Sequence, residues 1–184
     1  MAEMASYKLE SHGSRVHIYT YAEGLFAKFA HDLALNTVPT GKGETLADGS
    51  ARVELHFEVP LITVLGVRKN SFVDTEILSV EDCEDIQRRI QNEFFPKSGG
   101  NHAIEVTGEL REKRASLSLK VPSGKTFPLD ADVRAGIGDE TALITGLCLI
   151  PLSRLGIGPI KGPLGAFKVK DVVHVDFHVV FRAV

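Results

Sequence analysis

The sequence predicts a mainly β domain, a sandwich or a barrel, with a single inserted helix. Three observations carry that prediction. Most of the chain alternates apolar and polar residues with period 2, the mark of half-buried strands. About nine such runs follow one another at the short intervals of an all-β fold. Only one long segment instead shows helical spacing. No linker, internal repeat or low-complexity tract divides the 184 residues, so one domain spanning 1–184 is expected, long enough for a substantial core.

In chain order, SRVHIYTY gives the first strand, through Val16 and Ile18. EGLFAKFAHD suggests a short helical turn, and LALNTV a second strand. In ARVELHFEV, Ala51, Val53, Leu55, Phe57 and Val59 share one face, with Arg52, Glu54, His56 and Glu58 on the other. SFVDTEIL is a further strand signal. The segment SVEDCEDIQRRIQNEFF then places Val80, Cys83, Ile86, Ile90 and Phe94 at helical spacing, over about 80–95. Ser79 suits its N-cap, and acidic residues at its start and Arg88 and Arg89 later suit the helix dipole. Pro96 and Gly99-Gly100 end it.

Strands resume at HAIEVTGEL, which carries Val106, and at ASLSLKV, with Ala115, Leu117, Leu119 and Val121 on one face. FPLDADVR repeats the pattern through Phe127, Leu129, Ala131 and Val133. ALITGLCLI supplies Leu147 and Leu149. The closing run VHVDFHVVF sets Val173, Val175, Phe177, Val179 and Phe181 against His174, Asp176, His178 and Val180.

Composition narrows the function classes. A 43% apolar, 24% charged chain is ordinary for a soluble globular protein. A net charge of −3 points to neither nucleic acid nor an anionic membrane as an obligate partner. The opening MAEMASYKLE has no basic and apolar leader pattern. The apolar stretches VPLITVLGV and LCLIPL fall short of the roughly 20 residues of a spanning helix. Cys83 and Cys148 lie far apart in unlike contexts and read as free thiols. A cytoplasmic location is the resulting expectation.

Residues 154–171, RLGIGPIKGPLGAFKVKD, hold Gly156, Gly158, Gly162 and Gly165 with Pro159 and Pro163. A phosphate loop needs G-x-x-x-x-G-K-[ST] leading into a helix. Here the spacing differs, the chain runs into a strand, and each proline removes an N–H. A rim loop with tight turns is the expected role.

With its sequel, this stretch carries a resemblance. SRLGIGPIKGPLGAFKVKDVVHVDFHVVF is similar to the terminal pattern of the YceI-like family of polyisoprenoid-binding, lipocalin-like proteins. YKLESHGSRVHIYTYAEGLFAKFAHDLAL is similar to the family's opening, where a strand leads through a small turn to His31-Asp32-Leu33. The helix at about 80–95 and FFPKSGGNHAIEVTGEL fall between them, and the resemblance runs from Tyr7 to Phe181. It implies an extended antiparallel eight-stranded lipocalin-like barrel that holds a long-chain isoprenoid or similar fatty amphiphile. It implies no cofactor; an isoprenoid lipid or quinone would be bound as ligand, and a homodimer is compatible with it. The likeness to lipocalins is architectural, since the chain has no Trp and so no Gly-x-Trp signature.

Eight closed strands leave a lumen that side chains fill or that takes one small ligand. The alternating faces offer Val16, Ile18, Phe26, Phe29, Val53, Leu55, Phe57, Val106, Leu117, Leu119, Leu147, Leu149, Val175, Phe177 and Val179 as lining. For any one of these, plain core packing is the competing role, and Phe26 and Phe29 would alternatively plug one end. His31-Asp32 would sit at the mouth and bond a quinone or phosphate headgroup; the alternative has Asp32 serving a turn.

Two other function classes stay open. His174, Asp176 and His178 lie at i, i+2 and i+4 on one strand face, a spacing that would suit a zinc-dependent enzyme. The opposing apolar face favours a solvated exterior for them, and no catalytic residue or metal ligand is assigned. No G-x-S-x-G elbow occurs, and the carboxylates around Cys83 disfavour a thiolate. A ligand-free interaction module with a fully packed lumen is the other class.

Overall fold

The computed structural model describes residues 4–24 and 30–184. Phe26, Phe29 and the centre of the EGLFAKFAHD turn, residues 25–29, therefore lie outside the described residues. The strands are β1 (Ser6–Thr20), β2 (Ala22–Glu23), β3 (Leu33–Thr37), β4 (Thr40–Thr45), β5 (Ala51–Glu58), β6 (Thr63–Lys69) and β7 (Phe72–Asp74). After the helix α1 (Val80–Arg89) come β8 (Ala103–Arg111), β9 (Arg114–Lys120), β10 (Thr126–Ile137), β11 (Thr141–Pro151), β12 (Lys168–Val169) and β13 (Val172–Ala183).

Eight strands close into an antiparallel barrel in the order β13-β11-β10-β9-β8-β5-β4-β1, with β1 pairing back onto β13. The closing seam is long, from Tyr7↔Ala183 to Tyr19↔His174, and a bulge between Glu10 and Arg15 interrupts it. The buried Ser14 repairs that interruption. Its Oγ donates to the Glu10 carbonyl (2.7 Å) and accepts from the Val180 N–H (2.9 Å), so neither backbone group is left unpaired.

At one end the wall divides. Pro39, which has no N–H to give the ladder, separates β3 from β4, so β1 pairs with β4 in one half and β3 in the other. Across from it, the 3-10 turn Val59–Leu61 contains Pro60 and separates β5 from β6. Beyond that turn β6 pairs with β3 and β7, while β8 stays with β5 and β9.

The helix fills the space this creates. Ile86 and Phe94 pack against a cluster of Leu35, Val59, Ile62 and Ile90. Its start is as expected: the Asp82 N–H donates to Ser79 Oγ and the Ser79 N–H to Asp82 Oδ2, both 3.1 Å. The Ser79 hydroxyl, which donates to Asp82 Oδ2 at 2.7 Å, and then the Ser79 N–H, ahead of a longer-range attraction to His31, hold the exposed Asp82 carboxyl below its ordinary pKa. From Ile90 to Phe94 the chain widens to a π-helix. There His102 Nε2 lies 3.0 Å from the Phe95 carbonyl and 3.2 Å from that of Gln91. Two acceptors require the ring proton on that nitrogen. Val80 does not join the buried side and is 76% exposed. Six residues before Ile86 at about 100° each, it points roughly 120° away.

One strand of the barrel, β4, and one of the extension beside it, β6, lack the periodic signal of the others. TGKGET (β4) has no apolar alternation, and TVLGVRK (β6) is nearly continuous in apolar residues. SFVDTEIL forms a strand only over Phe72–Asp74.

Candidate functional site

The barrel encloses a cavity of about 440 Å³, within the range of about 300–1,000 Å³ that ligand sites occupy. Its wall is built strand by strand. β1 supplies Val16 and Ile18, β5 supplies Val53, Leu55 and Phe57, β8 supplies Val106, and β9 supplies Leu117 and Leu119. The last strand adds Val175, Phe177 and Val179. These inward faces follow the period-2 alternation of the sequence.

Burial reveals the shape of the lumen. Val175, Phe177, Leu55, Phe57, Leu117 and Ile150 point inward but are only half-buried. Their remaining exposure is toward the lumen. Farther along the barrel wall Val53, Ala115, Val133, Ile144, Val179 and Phe181 are buried, packed with Tyr7 and Leu9. The tube is therefore blind at the β1 start and open toward α1. Phe181, 1% exposed, closes the blind end. Gly146 lies opposite Phe177, and a side chain there would collide with the Phe177 ring and the Asp132 carbonyl.

Leu147 and Leu149 correct the expectation for ALITGLCLI. They are 47% and 50% exposed and point outward; Ile144, Cys148 and Ile150 of β11 line the cavity instead. The pairing decides this. Leu147 stands opposite Asp176 on β13 and Asp132 on β10, both on outward faces. Both faces of β11 are apolar, so its pattern alone does not fix which turns inward. Burial pushes the Cys148 thiol up to about 12, which keeps it protonated and unreactive.

The open end is framed by two segments. One is the helix, with Leu78, Ile86, Arg89, Ile90, Phe94 and Phe95 on the lining. The other is the loop from Leu152 to Phe167, which adds Leu155, Ile157, Ile160 and Lys161. Its glycines act as turns: Gly156 ends the 3-10 turn Leu152–Leu155 at φ 81°, a backbone shape that favours glycine. Asp171 anchors the loop by accepting from the Ser153 N–H (2.8 Å) and Oγ (2.7 Å). The Leu164 side chain is fully exposed. Sequence reasoning missed the loop's inward apolar residues, because glycine and proline break up any periodicity between them. It also missed Leu33, Leu35 and Thr37 of β3. Thr37 Oγ1 is buried and unpartnered among the described residues.

His31 and Asp32 separate in role. His31 is exposed at the rim and lines the cavity. Asp32 serves the backbone, its Oδ1 accepting from the Ala22 N–H at 2.8 Å. His174, Asp176 and His178 lie on the outer face of β13. His174 Nδ1 is 3.3 Å from the Tyr21 hydroxyl, which also accepts from Arg68. The Arg68 guanidinium stacks on Tyr19, 4.4 Å from the ring centre. Among the described residues no three His, Cys, Asp or Glu side chains are grouped to hold a metal. Nor is any described helix long and apolar enough to cross a membrane.

No protein-family model matches the sequence, and no curated protein matches it. Among solved structures, the fold is similar to the crystal structure of Burkholderia cenocepacia BcnA. The TM-score is 0.54 at 13% identity, covering 94% of this chain and 98% of that one. At that identity the likeness is one of fold alone, a mainly β, eight-stranded antiparallel barrel.

Proposed function

We propose that this protein belongs to the YceI-like family and holds a long-chain isoprenoid or similar amphipathic lipid in its barrel, as a carrier or sequestering protein. The observation that carries the reading is the cavity itself: a blind tube of about 440 Å³ walled almost wholly by Val, Leu, Ile and Phe. An apolar chain entering it gains about 0.8 kcal/mol per buried CH₂. That gain must exceed an immobilisation cost of about 4–15 kcal/mol, so a tail of several isoprene units can bind with few polar contacts. Half-buried inward residues such as Phe177 and Leu117 support a ligand chamber over a packed module. The unpaired Cys83 and Cys148 fit a cytoplasmic, reducing location.

Native mass spectrometry after gentle purification, followed by organic extraction, tests the reading. A co-purifying lipid, or uptake of added prenyl quinone at one per barrel, is the expected result. Absence of both overturns it.

A further inference from the structure

We infer that the cavity selects lipids with an anionic headgroup, a phosphate or a carboxylate, which sits at the rim between Arg89 and Lys161. This rests on the lipid-binding reading above and specifies its ligand.

The rim's charge is one-sided. Among the described residues Arg89, Lys161 and His31 line the cavity, whereas no Asp or Glu does. The whole chain is biased the other way, with 24 acidic residues against 21 Lys and Arg. All three rim side chains are exposed and lie at the open end, where the end of a bound amphiphile meets water. They come from three separate segments: the last turn of α1, the Gly-rich loop and the chain just before β3.

Nearby carboxylates are already engaged away from the lining. Asp82 bonds Ser79, and Glu23 pairs with Lys168 at 3.1 Å. Glu93 Oε2 holds Arg89 Nε at 3.1 Å, an exposed pair that leaves the guanidinium's other donors available. Arg89 also rests over the Phe94 ring, 5.4 Å from its centre, which steadies its position at the rim. Lys161 pairs with no carboxylate among the described residues. A guanidinium and an ammonium beside an apolar tube are matched by a head that carries negative charge and a tail that carries none.

The test compares geranylgeranyl monophosphate with geranylgeraniol, identical in tail and different at the head, a charged phosphate against a neutral hydroxyl, by calorimetric titration at low ionic strength. The phosphate is expected to bind about tenfold more tightly, a difference of about 1.4 kcal/mol. The ratio should fall toward one in the Arg89→Gln/Lys161→Gln double variant and shrink on adding about 0.5 M salt, which screens exposed charges. Far-UV circular dichroism and a thermal melt confirm that the variant is folded; Lys161→Glu in the native background, expected to lower the ratio further, serves if it is not. Equal affinity for the two lipids overturns this inference while leaving lipid binding intact. Inorganic phosphate that binds alone as tightly as the lipid phosphate overturns it as well, since the site would then be one for the free anion. Failure of both lipids to bind overturns the lipid-binding reading with it.

Discussion

Replacing Phe177 and Phe181 one at a time by alanine separates an open lumen from a solid core. Both rings point inward from β13. Phe181 is 1% exposed and packed within the buried cluster at the blind end, so Phe181→Ala should carry the full cost of a cavity in a packed core, about 3–5 kcal/mol. Phe177 is half-buried, with one side against the wall at Gly146 and the other toward the lumen. The lumen side has no packing neighbours to lose, so Phe177→Ala should cost about half as much, roughly 1.5–2.5 kcal/mol. At about 2–4 °C per kcal/mol for a chain of this length, the drop in Tm is roughly 6–20 °C for Phe181→Ala and 3–10 °C for Phe177→Ala. Differential scanning calorimetry on delipidated protein measures both, and urea titration checks that each variant still unfolds in one step. Prenyl quinone uptake should survive Phe177→Ala, which only widens the chamber. Equal losses at the two positions would mean that the lumen is filled in solution, and the carrier function would lose its physical basis.

Three further outcomes follow from the same geometry. Ser14→Ala strands the Val180 N–H at the barrel seam and should cost about 1–3 kcal/mol, read by chemical denaturation; a loss under 0.5 kcal/mol would mean the bulge is satisfied another way. Leu147→Ser and Leu149→Ser should leave prenyl quinone uptake unchanged and stability within about 0.5 kcal/mol, because both side chains face outward; loss of uptake would restore the opposite register for β11. For the thiols, Cys148 with a pKa near 12 stays neutral across the working range and becomes reactive only above it. A disulfide reagent at pH 8 should therefore label Cys83 alone, and both thiols only after unfolding. Rapid labelling of Cys148 in the folded protein would contradict its burial.

Where each strand faces one apolar and one polar environment, the sequence already determines the barrel wall. Val53, Leu55 and Phe57 turn inward because Glu54, His56 and Glu58 cannot, and the last strand follows the same logic against His174 and Asp176. The helix was legible for similar reasons, down to the Ser79 cap. Legibility ends where the deciding fact lies on another strand. On β11, Leu143, Leu147 and Leu149 compete with Ile144, Cys148 and Ile150 for the interior, and hydrophobicity favours neither set. What settles the contest is that Leu147 is hydrogen-bonded into line with Asp176 and Asp132, whose carboxylates must face water. The register of a strand with two greasy faces is thus imposed by its neighbours' polar faces and becomes readable only once the strand order is known.

The mouth shows a second limit with a different cause. Arg89 belongs to a helix whose charged residues look like an ordinary solvated face, and Lys161 to a loop whose glycines and prolines advertise only turns. Neither segment carries a pattern that points at the other. Both line the same lumen, and for Arg89 the cause is the Val59–Leu61 turn, where β5 ends its pairing with β8 and β6 goes on with β3 and β7. That departure opens a gap the helix must fill with Ile86, Ile90 and Phe94, which sets Arg89 at the edge of the lumen. The apolar tube is therefore a product of local alternation, repeated strand after strand, while the charged rim is a product of where that alternation stops. A homologous barrel in which β5 ran on along β8 past Glu58 would keep the tube and, lacking a seat for the helix, lose the guanidinium from its mouth.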